Sequence, residues 1–139
     1  MTVKTMTLSL QTKGDADVVN ITDETAQVVR ESEIRDGIVT VFVPGSTAAL
    51  TTIEYESGAI KDFQRLFDEI AAENRHYDHN ARWGDGNGHS HIRASLLGPS
   101  LTVPFADGKL LLGTWQQIIF VDFDNRGRSR KVIVQVMGE

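Results

Sequence analysis

Trp115-Gln-Gln-Ile-Ile-Phe-Val-Asp-Phe123 is apolar in two registers at once. Along an extended chain Trp115, Ile119, Val121 and Phe123 fall on one face, and Ile118 and Phe120 on the other. A strand of this kind has to be covered on both sides. In a chain of 139 residues the cover is either a second sheet layer or a neighbouring subunit.

The sequence around this run reads mostly as strands. Leu101–Phe105 and Lys109–Leu112 precede it, and Arg130–Met137 follows. Asp107-Gly108 and Asp124-Asn-Arg-Gly127 are short turn signals, which predict antiparallel hairpins between successive strands. Near the N-terminus Lys4, Met6, Leu8 and Leu10 alternate with Thr5, Thr7 and Ser9, the pattern of a half-buried strand. Ile38–Val43 is β-branched, Pro44-Gly45 breaks it, and Ala48–Tyr55 extends again through Thr51, Thr52 and Ile53.

Two stretches change period. Thr22 stands as a helix cap before Asp23 and Glu24, with Ala26, Val29 and Ile34 toward the core and Asp36-Gly37 as the stop. Ile60, Phe63, Leu66, Phe67 and Ile70 recur at helical spacing, which predicts a helix over 58–72 with Lys61, Asp62, Gln64, Arg65 and Glu69 opposite. Glu73–Gly88 has no period and reads as a long loop of the kind that carries function. His91–Leu97 is a short helix stopped by Gly98-Pro99. The expectation is an α+β fold: sandwich-like antiparallel sheets with two main helices, as one domain over 1–139.

Composition narrows the function. With 40% apolar and 24% charged residues the chain is globular. It has no cysteine, so disulfides, zinc-thiolate centres and cysteine nucleophiles are excluded. A net charge of −5 argues against a nucleic-acid-binding surface. The longest apolar run, Ile118–Val121, is too short to cross a membrane. Met1–Leu10 lacks the apolar block of a secretory leader, so a cytoplasmic location is expected.

All four histidines fall between His76 and His91. Imidazole titrates near neutrality and is the commonest metal ligand, so this stretch suits acid–base or metal chemistry. His89-x-His91 shares one side of an extended chain, and His76-x-x-His79 one turn of a helix. A solvated polar loop with incidental histidines is the plainer alternative. Gly84, Gly86 and Gly88 do not follow a strand and open a long helix, so they make no dinucleotide fingerprint; turn formation explains them as well. Gly45-Ser46-Thr47 puts two hydroxyls after a buried strand, either a pocket wall or a turn. Arg126, Arg128, Arg130 and Lys131 form a basic group in an acidic chain, suited to a phosphate or a carboxylate, or to a solvated turn.

Gly45–Glu54 (GSTAALTTIE), Tyr77-Asp78-His79, Ser90–Gly98 (SHIRASLLG), Leu110–Gln116 (LLLGTWQ) and Gly138-Glu139 together resemble the YjbQ-type family described as secondary thiamine-phosphate synthases. The resemblance runs in order over nearly the whole chain. It implies a sandwich-like α+β homotrimer in the cytoplasm that joins a pyrimidine pyrophosphate to a thiazole phosphate as a side activity. His79, His91, Glu54 and Asp85 take the catalytic positions, and Ser46, Thr47, Ser95, Gln116 and Arg130 the substrate-binding ones. His79, His91 and the additional His89 are the candidate ligands of a divalent metal, zinc or magnesium. The implied partner is a small phosphorylated or anionic substrate, with neither nucleic acid nor membrane. Gly45 departs from the pattern, because many members carry a histidine there.

Overall fold

A computed structural model describes residues 1–139, and in it the doubly apolar strand is covered from within the chain. In chain order the elements are β1 (Thr2–Gln11), β2 (Asp17–Asn20), α1 (Thr22–Ser32), β3 (Gly37–Phe42), β4 (Ala48–Glu54) and α2 (Ser57–Ile70). They continue with α3 (Asp78–Trp83), α4 (Gly88–Leu97), β5 (Ser100–Ala106), β6 (Lys109–Leu110), β7 (Gln116–Asp122) and β8 (Ser129–Gly138).

Strand β7 is the middle of a three-stranded sheet, β2-β7-β4. Its Ile118 and Phe120 pack inward against Val39, Val41, Val132, Val134 and Val136 of a five-stranded sheet, β1-β8-β3-β5-β6. Ile119, Val121 and the following Phe123 face the other way, into a second core with Phe67 of α2 and Ala94 of α4. The Phe67 and Phe123 ring centroids are 4.7 Å apart. The order of layers is therefore sheet, sheet, helices, with Val28 and Val29 of α1 entering the core between the sheets. Trp115 is not on the buried face: it precedes β7 and is 72% exposed.

The expected succession of hairpins holds only for β5 and β6. β7 and β8 lie in different sheets, and β8 pairs with β1 and β3. Burial explains this. Neighbouring strands share the two faces of their sheet. From Ile118 onward β7 is buried at every residue, and β4 opens with Ala48, Ala49 and Leu50 all buried. β8 instead buries alternate residues, Val132, Val134 and Val136, so it belongs to a sheet with one face open to water. The Asp124–Gly127 segment therefore crosses between layers.

Three helix readings are corrected. Thr22 is the first helical residue and not the cap; Asn20 Oδ1 accepts from the Thr22 backbone N–H and hydroxyl. Glu33, in the left-handed region at φ 62°, ends α1 before Asp36-Gly37. In α2 only Phe67 is fully buried, while Leu66 and Ile70 are 49% and 45% exposed. The stretch expected as a loop contains α3 and the start of α4. A six-residue helix is under two turns, too short for its period to show in the sequence. No helix is long and apolar enough to cross a membrane.

Because Phe120 is enclosed by both sheets, Phe120→Ala should lower the free energy of unfolding by about 3–5 kcal/mol. Leu111→Ser, at an exposed position between β6 and β7, should change it by less than about 0.5 kcal/mol. Urea unfolding of the two variants checks this, and equal effects would contradict the layer assignment.

Candidate functional site

The site is assembled where α3 folds back on α4. Gly88 makes this possible: a Cβ there would lie 2.5 Å from the Tyr77 Cβ, so only glycine allows the approach. Its N–H donates to Asn80 Oδ1 at 2.8 Å. Gly84, at φ 67°, caps α3 and turns the chain. The result places His79 of α3 against His91 of α4, with ring centroids 4.4 Å apart and planes at 46°. Asp85 Oδ1 lies 3.3 Å from His79 Nδ1 and accepts from the Asn87 N–H at 3.1 Å. His79 Nδ1 is buried and has no hydrogen-bond partner.

Beside His91 is a recess of about 190 Å³, walled by Gly45, Ser46, Ala48, Ala94 and Ser95. The backbone N–H groups of Gly45, Ser46 and Thr47 donate to no acceptor in the protein. Arg130 stands behind this loop. Its Nε and Nη2 bond to Asp122 at 2.8 and 2.9 Å, and Nη2 also donates to Thr47 Oγ1 at 2.6 Å. Nη1 makes no such bond and lies 3.3 Å from the point a Cβ of residue 45 would occupy. A glycine at 45 therefore leaves the guanidinium edge uncovered.

A buried polar network fixes this geometry. Asp122 and Asp124 are both almost wholly enclosed. Asp124 accepts from Thr47 Oγ1 at 3.0 Å and Asn87 Nδ2 at 3.1 Å, and pairs with Arg128 at 3.1 Å. Burial pushes its pKa up, but the hydrogen bonds from Asn87, Thr47 and Arg128 outweigh that and hold it below the ordinary value. The hydrogen bonds and charge of Asp122 keep Arg130 firmly protonated against its own burial. Ser90 Oγ donates to the Phe123 carbonyl at 2.6 Å and ties α4 to the end of β7.

The structure divides the residues expected from the sequence into groups. His79, His91, Asp85, Ser46, Ser95, Thr47 and Arg130 come together at one end of the β4–β7 pair. Ser95 Oγ donates to the His91 carbonyl at 2.8 Å. Glu54 and Gln116 pair with each other at the opposite end, six residues along from the Ala48–Asp122 pair. At about 3.3 Å per residue that is roughly 20 Å away. His89 is also separated from His91. Because α4 starts at Gly88, the two histidines are two apart on a helix and point to opposite sides. His89 is fully enclosed, its ring 6.5 Å from Tyr77 and its Nδ1 without a partner. His76 pairs with Asp78 at 3.0 Å on the surface.

His79, Asp85 and His91 have the donor types that suit zinc, but no three His, Asp or Glu side chains converge on one point. Asn87, Asp122 and Asp124 were not expected from the sequence. The signal for Asp122 is its place in the apolar run IIFVD, where a carboxylate needs a buried cation; Arg130 supplies it from the next strand.

Comparison with known proteins gives a consistent result. The family model described as "UPF0047 protein YjbQ-like" matches residues 6–139. A UPF0047 protein of Archaeoglobus fulgidus is 40% identical over 132 residues, covering 95% of this chain and 100% of that one. YugU of Bacillus subtilis, another UPF0047 protein, is 33% identical over 133 residues, covering 95% and 98%. The crystal structure of a YbjQ-like protein of unknown function from Sulfolobus solfataricus is 34% identical with a TM-score of 0.90, covering 99% of this chain and 100% of that one.

His89 provides a test of the site's anchoring. Burial first, then the charge of Arg93, holds its pKa below the ordinary value. Between that lowered value and about 6.5 the unfolded chain binds more protons than the folded one, so stability falls as pH drops below about 6.5. His89→Met should reduce the loss in urea midpoint between about pH 7.5 and 5.5. An unchanged loss would mean that His89 is not enclosed as described.

Proposed function

The chain belongs to the UPF0047 YjbQ-like family, and on that premise we propose that the His79–His91 recess is the catalytic centre of a small-molecule transferase acting on a phosphorylated or anionic substrate. One observation carries this reading. Gly45 and Ser46, whose N–H groups donate to no acceptor in the protein, line one recess with His91; the His91 ring lies 4.4 Å from that of His79, and Arg130 Nη1 comes within 3.3 Å of the point a Cβ of residue 45 would occupy. Donors of this kind take the oxygens of a phosphate, and an imidazole beside them holds or delivers a proton near neutral pH.

The reaction we assign is thiamine-phosphate-synthase-like. The thiazole nitrogen uses its lone pair to form a bond to the pyrimidine methylene carbon. The bond from that carbon to the pyrophosphate oxygen breaks, and pyrophosphate leaves with the electron pair. Arg130 and the amides of Gly45–Thr47 take the growing charge, with Ser46 and Ser95 at the rim. His91, or His79 oriented by Asp85, protonates the leaving oxygen. Zinc, if bound, would supply further neutralisation of the pyrophosphate; His79, Asp85 and His91 fit it in donor type but do not converge, magnesium's preference for oxygen ligands does not match two imidazoles, and no step depends on a metal. Glu54 and Gln116 stand outside this centre.

The same proposal takes the working form as a cytoplasmic homotrimer. Exposed Trp83, one helical turn from His79, and exposed Ile92 and Leu96 on the helix of His91 support it. A second reading, a non-catalytic protein binding a divalent cation or small ligand, draws on the buried, unpartnered His79 Nδ1 beside Asp85.

With a pyrimidine pyrophosphate and a thiazole phosphate as substrates, His79→Ala and His91→Ala should each cut turnover by about 100-fold or more and leave the urea midpoint unchanged. Wild-type turnover in both variants would defeat the assignment. A wild-type chain that binds zinc by calorimetry through His79 and turns nothing over would move the site to the second reading.

A further inference from the structure

At the far end of the β4–β7 pair lies a larger recess, of about 500 Å³, lined by Asn20, Glu54, Tyr55, Thr114, Trp115 and Gln117. Its chemistry is opposite to that of the histidine end. No lysine or arginine lines it. Glu54 has no ion pair and its side chain makes no hydrogen bond, although it is exposed and ends a strand. Glu56, also at the wall, is committed: its carboxylate caps α2 through the N–H groups of Gly58 and Ala59, which hold its pKa below the ordinary value. Its charge is thus held in place beside the free one.

Two aromatic rings complete the wall. Trp115 is 72% exposed and Tyr55 46% exposed. Neither ring is needed for the cores, because neither belongs to a buried cluster. The Tyr55 hydroxyl donates to the Val18 carbonyl at 3.4 Å, which links the ring to β2. Asn20 Nδ2 donates to Gln117 Oε1 at 3.1 Å, so the polar floor is internally paired and leaves no strong cationic donor in the recess. Exposed indole and phenol rings beside a free carboxylate, with no competing cation, favour a positively charged organic group: the ring faces attract it, and the carboxylate neutralises it.

We propose that this recess is a second binding site, distinct from the histidine centre, for a small organic cation of the alkylammonium class. Trp115 and Tyr55 supply the aromatic contact and Glu54 the counter-charge. The site is independent of the transferase reading, since no residue is shared between them.

Choline serves as the probe, titrated into the full chain and followed by calorimetry. The comparison compound is its uncharged isostere, with carbon in place of the quaternary nitrogen. Binding in roughly the millimolar range is expected, and Trp115→Leu or Glu54→Gln should weaken it about tenfold or more. Both substitutions are at exposed positions, so the urea midpoint should not move. The proposal is overturned if the isostere binds as well as choline, if neither variant weakens binding, or if the wild type shows no choline binding up to about 50 mM. Absence of choline binding together with a smaller assembly for Trp115→Leu in sedimentation would also overturn it, and would assign the indole to an interface between copies.

Discussion

The ion pair between Asp122 and Arg130 is the contact on which the rest of the structure depends. Asp122 ends β7 in one sheet, and Arg130 lies in β8 of the other. Moving both groups out of water costs several kcal/mol per ion, which mutual attraction repays only when every lone pair and proton is used. Here the carboxylate is saturated. Asp122 Oδ2 accepts from Thr12 Oγ1 and Arg130 Nε, and Oδ1 accepts from Arg130 Nη2 and the Asp124 N–H. A pair of this kind adds little stability over a well-packed apolar substitute, but it fixes position. It locks the guanidinium so that its remaining edge faces Gly45.

The network carries that position onward. Thr47 links Arg130 to Asp124, Asp124 links to Asn87, and Asn87 Oδ1 accepts from the Asn125 N–H. Asn87 begins the turn into α4, so the orientation of His91 is set by the same buried charges that set Arg130. The recess walls come from two segments, 45–48 and 91–99, joined through Arg130, Asp124 and Asn87 by one set of hydrogen bonds. Precise placement of reacting groups depends on such support, because a displacement of an ångström costs much of the benefit of proximity.

Much of this arrangement was readable in the sequence, and the omissions have physical causes. The double face of Ile118–Phe123 calls for cover on both sides, by a second sheet layer or a neighbouring subunit, and the structure supplies the layers. The placement of β8 in the other sheet is not legible, because Ile133 and Met137 make its open face apolar too and the turn residues before it suggest a hairpin. The pairing of His79 with His91 is implied by the family resemblance, whereas spacing alone couples His76 with His79 and His89 with His91. The path between His79 and His91 is not legible, since α3 is too short to show a period and Gly88 reveals its role only through the Tyr77 side chain packed against it. His89 and His91 were misread because an i, i+2 pair shares a side in a strand and is opposed on a helix. Leu66 and Ile70 illustrate a related limit: periodicity shows which face of a helix is apolar, but not whether anything covers it.

The strand pair β4–β7 also sets a scale. Its register places Ala48 beside Asp122 at one end and Glu54 beside Gln116 at the other, roughly 20 Å apart. A small molecule held by the amides of Gly45–Thr47 cannot reach Glu54. The two ends also differ in sign, one offering a guanidinium edge and free N–H groups, the other a free carboxylate and exposed rings. Opposite chemistries held rigidly apart on one ladder are not two halves of a single small pocket in one chain. The strand that forms the core therefore also keeps the anionic and cationic preferences of the surface separate.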